Sequence, residues 1–288
     1  MLVVVTGANG LVGARLCAAL TAAGADVRAV VRRSGAAPDG PGVQEQVGDF
    51  ADPDFAASVL SGADAAVTTV HPMGSDEPAQ RRTGVVGTTA FATEAAAAGV
   101  ARLVHVSTAA VYDRSPGTGD VDESSPLVSD DAGDYAVTKR DADRSLEGVG
   151  GLTRVLVRPP AVLGPGPTSI WNTVRPRAIA SDEAARRAVP HQTFAWVHVD
   201  DLVALIAAVA TGTEGPAAGA CTAVNAAAEP ATVRDYHETV TRALGVTPVW
   251  QDEPAWTGRV LADRAHGWGW RPRVDLEQAL DELVRGLR

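Results

Sequence analysis

Short β-rich runs, most of them near-continuously apolar, alternate with longer alanine-rich stretches along the first half of this chain. Leu2–Val5, Val27–Val31, Val43–Val47, Ala65–Val70, Arg102–Ser107 and Thr153–Val157 predict strands. The stretches between them predict helices over Leu11–Ala23, Pro53–Leu60, Gln80–Ala98 and Ala132–Leu146. Strands this apolar are buried on both faces, and their alternation with helices predicts parallel pairing through helical crossovers. The second half is less regular. A Pro- and Arg-containing stretch from Leu163 to Pro190 has weak periodicity. After it come a helix near Asp201–Thr211, a strand near Cys221–Asn225, and helices near Thr232–Leu244 and Leu276–Leu287. Thr232 and Asp235 have the spacing of a capping box.

This order predicts an α/β fold: a doubly wound parallel Rossmann-type sheet with a small C-terminal substrate lobe over its carboxyl edge. The sheet domain is expected to take residues 1–163 with a returning segment at about 197–227, and the lobe residues 164–196 and 228–288. Composition adds exclusions. The net charge of −10 argues against nucleic-acid binding and against attachment to anionic membranes. No apolar run reaches the roughly 18–20 residues of a membrane span. With no basic leader ahead of Leu2-Val3-Val4-Val5, a cytoplasmic location is expected. Cys17 and Cys221 lie in apolar segments with no metal-ligand spacing, so both are expected to be reduced core residues and no metal site is expected.

Thr6-Gly7-Ala8-Asn9-Gly10-Leu11-Val12-Gly13 follows the first strand directly and opens a helix. A glycine-rich turn in that place lets backbone approach a pyrophosphate, whose charge the helix N-terminus favours. The second strand ends in Arg32 and Arg33, where an acidic residue would accept from the ribose hydroxyls. Arginine suits a 2′-phosphate instead, so NADP(H) is expected over NAD(H), with Arg32 the first choice. Asp49 and Phe50 end the third strand. The Asp49 carboxylate either reaches the adenine amino group or begins the next turn.

Of the 25 basic residues only Lys139 is lysine, and it stands four residues after Tyr135, one of 3 tyrosines. Positions i and i+4 share a helix face. A neighbouring ammonium can lower a phenol that would otherwise titrate near 10, which makes a usable acid and base.

The order of these pieces resembles the extended short-chain dehydrogenase/reductase family. The resemblance rests on Thr6–Gly13, on Val106-Ser107-Thr108-Ala109-Ala110-Val111-Tyr112, and on Tyr135–Lys139. It extends to Val157-Arg158-Pro159-Pro160, Leu163-Gly164-Pro165-Gly166 and Val197-His198-Val199-Asp200-Asp201. It implies Tyr135 as proton donor and acceptor, and Lys139 as the cation that lowers its pKa and holds the nicotinamide ribose. It also implies Thr108, with Ser107 as the fallback, as the hydroxyl on the same substrate oxygen. The implied cofactor contacts are Gly7, Asn9, Gly10, Leu11, Val12, Gly13, Arg32, Arg33, Asp49, Phe50, Val70, Lys139 and Pro159. Gly84 departs from the pattern, standing where many relatives carry an asparagine.

Within that family the absence of an acid after Thr108 argues against dehydration, and the arginines after the second strand argue for exchangeable NADPH. A small-molecule ketone or alcohol oxidoreductase is therefore expected, with a nucleotide-sugar epimerase or 4-ketoreductase as the alternative. Arg175, Arg177, Arg186 and Arg187 would serve that alternative as phosphate ligands, or are surface charges. A non-catalytic NADP(H)-sensing protein is the reading from another class, and it predicts loss of Tyr135 or Lys139. Trp171, Phe194, Trp196, Trp250 and Trp256 are candidates for an apolar substrate pocket, with core packing as the competing reading. His71 and His198, near strand ends, are given no catalytic role. The acidic segment Asp120–Asp134 is read as a solvated loop bordering the site. Homodimer pairing through the helices flanking the fifth strand is common in the family and is left open.

Overall fold

Seven strands form one sheet in the computed structural model, which describes residues 1–287. In chain order they are β1 (Leu2–Thr6), β2 (Asp26–Val31), β3 (Val43–Val47), β4 (Ala65–Thr68), β5 (Arg102–Val106), β6 (Thr153–Arg158) and β7 (Cys221–Asn225). Their spatial order is β7-β6-β5-β4-β1-β2-β3. Every neighbouring pair from β3 across to β6 is parallel. The order reverses direction between β1 and β4, the switch point beside which such sheets bind ligands. Burial explains the apolar runs: all four positions of β4 and all six of β6 are buried.

The crossovers are α1 (Leu11–Ala22), α2 (Pro53–Leu60), the pair α3 (Glu77–Gln80) and α4 (Thr88–Ala97), and α5 (Asp134–Glu147). The start of α2 follows from local chemistry: the Asp52 side chain accepts from the Phe55 N–H at 2.9 Å, and Pro53 sits in the first turn, where its missing donor costs nothing. Between the sheet and α2, α4 and α5 lies a core that includes Val4, Val30, Leu60, Phe91, Leu103, Leu146 and Leu156.

The helix expected over Gln80–Ala98 is interrupted. Arg81–Gly87 is π-helical, an inserted wide turn between α3 and α4. Two glycines fall within it, and a Cβ at Gly87 would lie 2.9 Å from the Ala51 Cβ, so the helix packs with no side chain there.

The chain falls into two compact units. The first comprises Met1–Val111, Leu127–Arg158 and Val203–Val224; the second comprises Tyr112–Pro126, Pro159–Leu202 and the chain from Asn225 onward. The second unit thus takes Tyr112–Pro126 as well, a segment that sequence pattern leaves with the sheet. Inside that unit, Asp120 pairs with Arg259 at 2.7 Å, and the Trp256 indole N–H donates to the Gly119 carbonyl at 2.7 Å.

Helices α6 (Arg175–Ser181), α7 (Val199–Thr211), α8 (Val233–Leu244), α9 (Asp263–Gly267) and α10 (Leu276–Leu287) follow. The capping box at Thr232 and Asp235 forms. Helix α6 was hidden by its proline, which sits at the first turn and is compatible with a helix there. The second unit's core answers the question of the aromatics. Phe194 stacks on Tyr236 at 4.8 Å, and Trp171 meets both rings edge-on at 5.1 and 5.3 Å. Trp196 and Trp256 are buried, and Arg234 lies over the Trp250 ring at 4.9 Å. Packing therefore accounts for these side chains as a group. Cys17 and Cys221 are unpaired. No helix among the described residues is long and apolar enough to cross a membrane.

Candidate active site

The turn from β1 into α1 is built on two obligatory glycines. Gly7 has φ +68°, and a Cβ there would lie 2.6 Å from the Thr69 hydroxyl. A Cβ on Gly13 would lie 2.2 Å from the Gly7 carbonyl oxygen, so the helix presses directly against the turn. Gly10 caps α1 without a side chain, which leaves the first-turn N–H groups of Leu11, Val12 and Gly13 to an outside acceptor. Asn9 is exposed on the turn, and Val70 packs against Gly7. This cradle, with its close backbone approach and positive helix end, fits a dinucleotide pyrophosphate.

Past β2, Arg32 and Arg33 are both exposed, and neither is paired with a carboxylate among the described residues. Asp49 accepts from the Ala51 N–H at 3.0 Å and so begins the next turn, with one carboxylate oxygen left over. Phe50 is a core side chain, meeting Phe91 edge-on at 5.9 Å. Pro159 is buried and belongs to the second unit.

Helix α5 carries the expected proton donor and its lysine. Its face presents Tyr135, Lys139 and Asp143 at successive i, i+4 positions. Lys139 is buried, and its Nζ donates to the Val106 carbonyl at the end of β5 at 2.7 Å. Burial lowers the ammonium to about 8, against an opposing pull from the Asp143 carboxylate. Tyr135 is half-buried, and burial raises its phenol above the ordinary value while the Thr108 hydroxyl beside it draws it partly back. Burial, rather than the neighbouring ammonium, is thus the dominant influence on this phenol. Lys139 acts electrostatically on His71 and His105, which it helps keep neutral.

Thr108 and Ser107, adjacent in sequence, have different neighbours. Thr108 Oγ accepts from the Ala110 N–H at 3.1 Å, which leaves its own proton to donate. Ser107 acts on Asp143, lowering a carboxyl that burial raises. Asp143 is fully buried and accepts from Arg158 Nε at 2.9 Å. Sequence reasoning passed over Asp143, although its position four residues after Lys139 was the available signal. Arg158 was visible only as part of a motif. The acidic segment is partly committed to structure: Asp130 pairs with Arg140 at 2.7 Å and Asp122 caps Ser124. Among the described residues no three His, Cys, Asp or Glu side chains gather as metal ligands.

A pH dependence follows from Lys139. Its folded value lies below the ordinary lysine value, so the unfolded chain holds the proton more tightly. That penalty on stability is present at neutral pH and is relieved as pH rises from about 8 toward the ordinary value. Where the charge is used in turnover the sign is opposite. A pH–rate profile is expected to decline as pH rises through about 8, and Lys139→Arg, which stays charged, is expected to lose that limb. A native profile without any decline below the ordinary lysine range would contradict this.

The profile of the NAD-dependent epimerase/dehydratase family matches residues 3–225. Sterol demethylase protein B of Methylococcus capsulatus is 33% identical over 215 residues, 71% of this chain and 64% of that protein. A 4-hydroxy-2-methyl-3-oxo-4-farnesyl-3,4-dihydroquinoline-1-oxide ketoreductase of Stigmatella aurantiaca is 34% identical over 174 residues, 57% of this chain and 51% of that protein. The chain therefore matches between half and two thirds of these relatives' lengths. Among solved structures, DesIV, a dTDP-glucose 4,6-dehydratase of Streptomyces venezuelae with NAD and TYD bound, superposes with a TM-score of 0.81 at 25% identity, covering 99% of this chain and 96% of that one. With a parallel seven-stranded sheet, a glycine turn ahead of α1 and a Tyr135–Lys139 pair on α5, the chain belongs to the NAD-dependent epimerase/dehydratase family, the extended short-chain dehydrogenase/reductases.

Proposed function

We propose that the protein is an NADPH-dependent oxidoreductase that reduces a ketone of a small molecule, or oxidises the corresponding alcohol. The observation that carries this reading is the placement of Tyr135 beside the Thr108 hydroxyl, with Lys139 buried one helical turn on and anchored on Val106. When bound at the glycine turn, NADPH supplies the hydride. A carbonyl oxygen that receives a hydride on its carbon becomes an alkoxide and needs a proton. The Tyr135 hydroxyl donates it, and Thr108 donates a hydrogen bond to the same oxygen, stabilising the developing charge. Lys139 holds the ribose and keeps positive charge beneath the phenol. In the alcohol direction Tyr135 accepts the proton back. The ketoreductase from Stigmatella aurantiaca supports reduction of a carbonyl on an apolar molecule.

Arg32 and Arg33 support NADPH over NADH, since both are exposed at the end of β2 with no carboxylate partner. A charge-assisted hydrogen bond contributes about 1.5–3 kcal/mol, so Arg32→Ala is expected to weaken NADPH about 10- to 100-fold and NADH hardly at all. Cofactor fluorescence titration measures both constants; tighter binding of NADH by the native protein would remove the preference.

A nucleotide-sugar epimerase or 4-ketoreductase is the second reading, supported by the likeness to DesIV, whose structure holds NAD and TYD. Two of the arginines after Pro167 give it little help. Arg175 lies over the Trp171 ring at 5.1 Å, and Arg186 donates to the Ile179 carbonyl at 3.0 Å.

A further inference from the structure

His71 lies just beyond β4 and has no place in the reaction described above, yet its ring is in contact with that of Tyr135. The ring centroids are 5.1 Å apart and the planes stand at 83°. Its tautomer is fixed by the neighbours. Gln80 Nε2 donates to the Ser75 carbonyl at 2.8 Å, which orients the amide so that Oε1 faces His71 Nε2 at 3.0 Å. Nε2 therefore carries the proton and donates, and Nδ1 is a bare acceptor. Thr138, between Tyr135 and Lys139 on α5, gives its proton to the Asp134 carbonyl at 2.7 Å and has its oxygen 3.3 Å from the same Gln80 oxygen. Gln80 thus holds the imidazole from a position beside the helix that carries Tyr135.

The opposite edge of the ring faces Gly84. Nδ1 is buried and has no hydrogen-bond partner among the described residues. A Cβ on residue 84 would lie 2.8 Å from Nδ1 and 3.1 Å from Cε1. Any side chain there would push the imidazole away from the helix and disturb its contact with the phenol. Gly84 lies in the π-helical turn, the one irregular part of this crossover, and such turns recur at functional sites.

We propose that His71 is a positioning residue for Tyr135, seated against the phenol because Gln80 locks its ring and Gly84 leaves room for it. The inference rests on the reading of Tyr135 as the proton donor. The imidazole transfers no proton itself. It fixes the tilt of the phenol, and with it the reach of the hydroxyl toward the substrate oxygen. A displacement of about 1 Å in a reacting group can cost as much as 100-fold in rate, so a ring contact of this kind has kinetic weight.

The test is a double-mutant cycle on the full chain: native, His71→Ala, Gly84→Ala and the double variant. The chain has only 3 tyrosines, so a ¹³C label on the tyrosine ring resolves Tyr135, assigned by its loss in Tyr135→Phe. Each single variant is expected to move the Tyr135 resonance and to lower kcat about tenfold, with KM and the NADPH dissociation constant within twofold. In the double variant Gly84→Ala is expected to add nothing, because the ring it displaces is already gone. His71→Asn, which keeps an amide donor for Gln80, guards against a folding defect and is expected to move the resonance equally. An unmoved Tyr135 resonance, an unchanged kcat, or full additivity of the two losses would overturn the proposal. Should the native protein reduce no ketone, the proposed reaction fails, and the resonance still decides the role of His71.

Discussion

Tyr135→Phe is expected to lower kcat for ketone reduction by about 10²–10⁴-fold, the ordinary contribution of a positioned general acid. The substitution removes one oxygen from a half-buried ring and leaves the contact with His71 in place. Folding and cofactor binding should therefore be unaffected, with the NADPH dissociation constant within about twofold of native. The residual rate comes from what remains: Thr108 still donates to the oxygen, and Lys139 still holds its charge beneath the site. Because burial raises the Tyr135 phenol, the hydroxyl is protonated throughout the neutral range and ready to donate. Reduction is consequently the direction that the protonation state favours near neutral pH, and alcohol oxidation should gain from higher pH until Lys139 loses its proton at about 8. Steady-state rates with one ketone, alongside cofactor titration, check this prediction. A loss smaller than tenfold would take the proton-donor role away from Tyr135.

Arg158→Met is expected to be the most destabilising single substitution near the site. Arg158 and Asp143 are both buried, at 3% and 0% exposure, so neither charge has access to water. Arg158 and the Ser107 hydroxyl hold down a carboxyl that burial pushes up. With the guanidinium gone, Asp143 must either remain charged without its main partner or take up a proton. Breaking one side of such a pair costs about 3–5 kcal/mol. At about 2.1 cal/mol/K of unfolding entropy per residue, a chain of 288 residues loses roughly 1.7 °C per kcal/mol, so the unfolding midpoint should fall by about 5–8 °C. The double replacement Arg158→Met/Asp143→Leu should recover much of the loss, since an apolar pair leaves no orphaned charge. Thermal unfolding followed by circular dichroism measures all three proteins, and a shift of under 2 °C for Arg158→Met would show that the pair contributes little.

Elements governed by local chemistry were legible in the sequence. The strand Val43–Val47 and the helix Pro53–Leu60 have the bounds that their patterns dictate, because Asp52, Pro53 and the apolar spacing are all local signals. The glycine turn was equally plain, since strand, glycines and helix follow one another without a gap. What sequence could not show depended on contacts across the chain. Nothing local marks Arg81–Gly87 as π-helical; the wide turn accompanies a ring from residue 71 and the Ala51 side chain pressing on Gly84 and Gly87. The family resemblance ranks Thr108 ahead of Ser107, but only the fold shows why the two differ, with Ser107 near Asp143 and Thr108 near Tyr135. Tryptophan and phenylalanine at 171, 194 and 196 have the composition of a pocket lining, and only their mutual packing shows them as core. The influence of Lys139 on the phenol was inferred from helical spacing and from the family resemblance. In the folded chain the Val106 carbonyl binds the ammonium and burial dominates the titration of Tyr135.

The measurement that bears most directly on the central claim is NADPH oxidation by the purified protein across a panel of apolar ketones and nucleotide-4-ketosugars, with the alcohol product quantified and Tyr135→Phe as control. The account predicts that apolar ketones are reduced with one alcohol formed per NADPH consumed, and that the turnover collapses in the variant. Turnover confined to the ketosugars would move the protein to the second reading. NADPH bound but never consumed, with every ketone returned unchanged, would contradict the assignment of Tyr135, Thr108 and Lys139 as a reductive site.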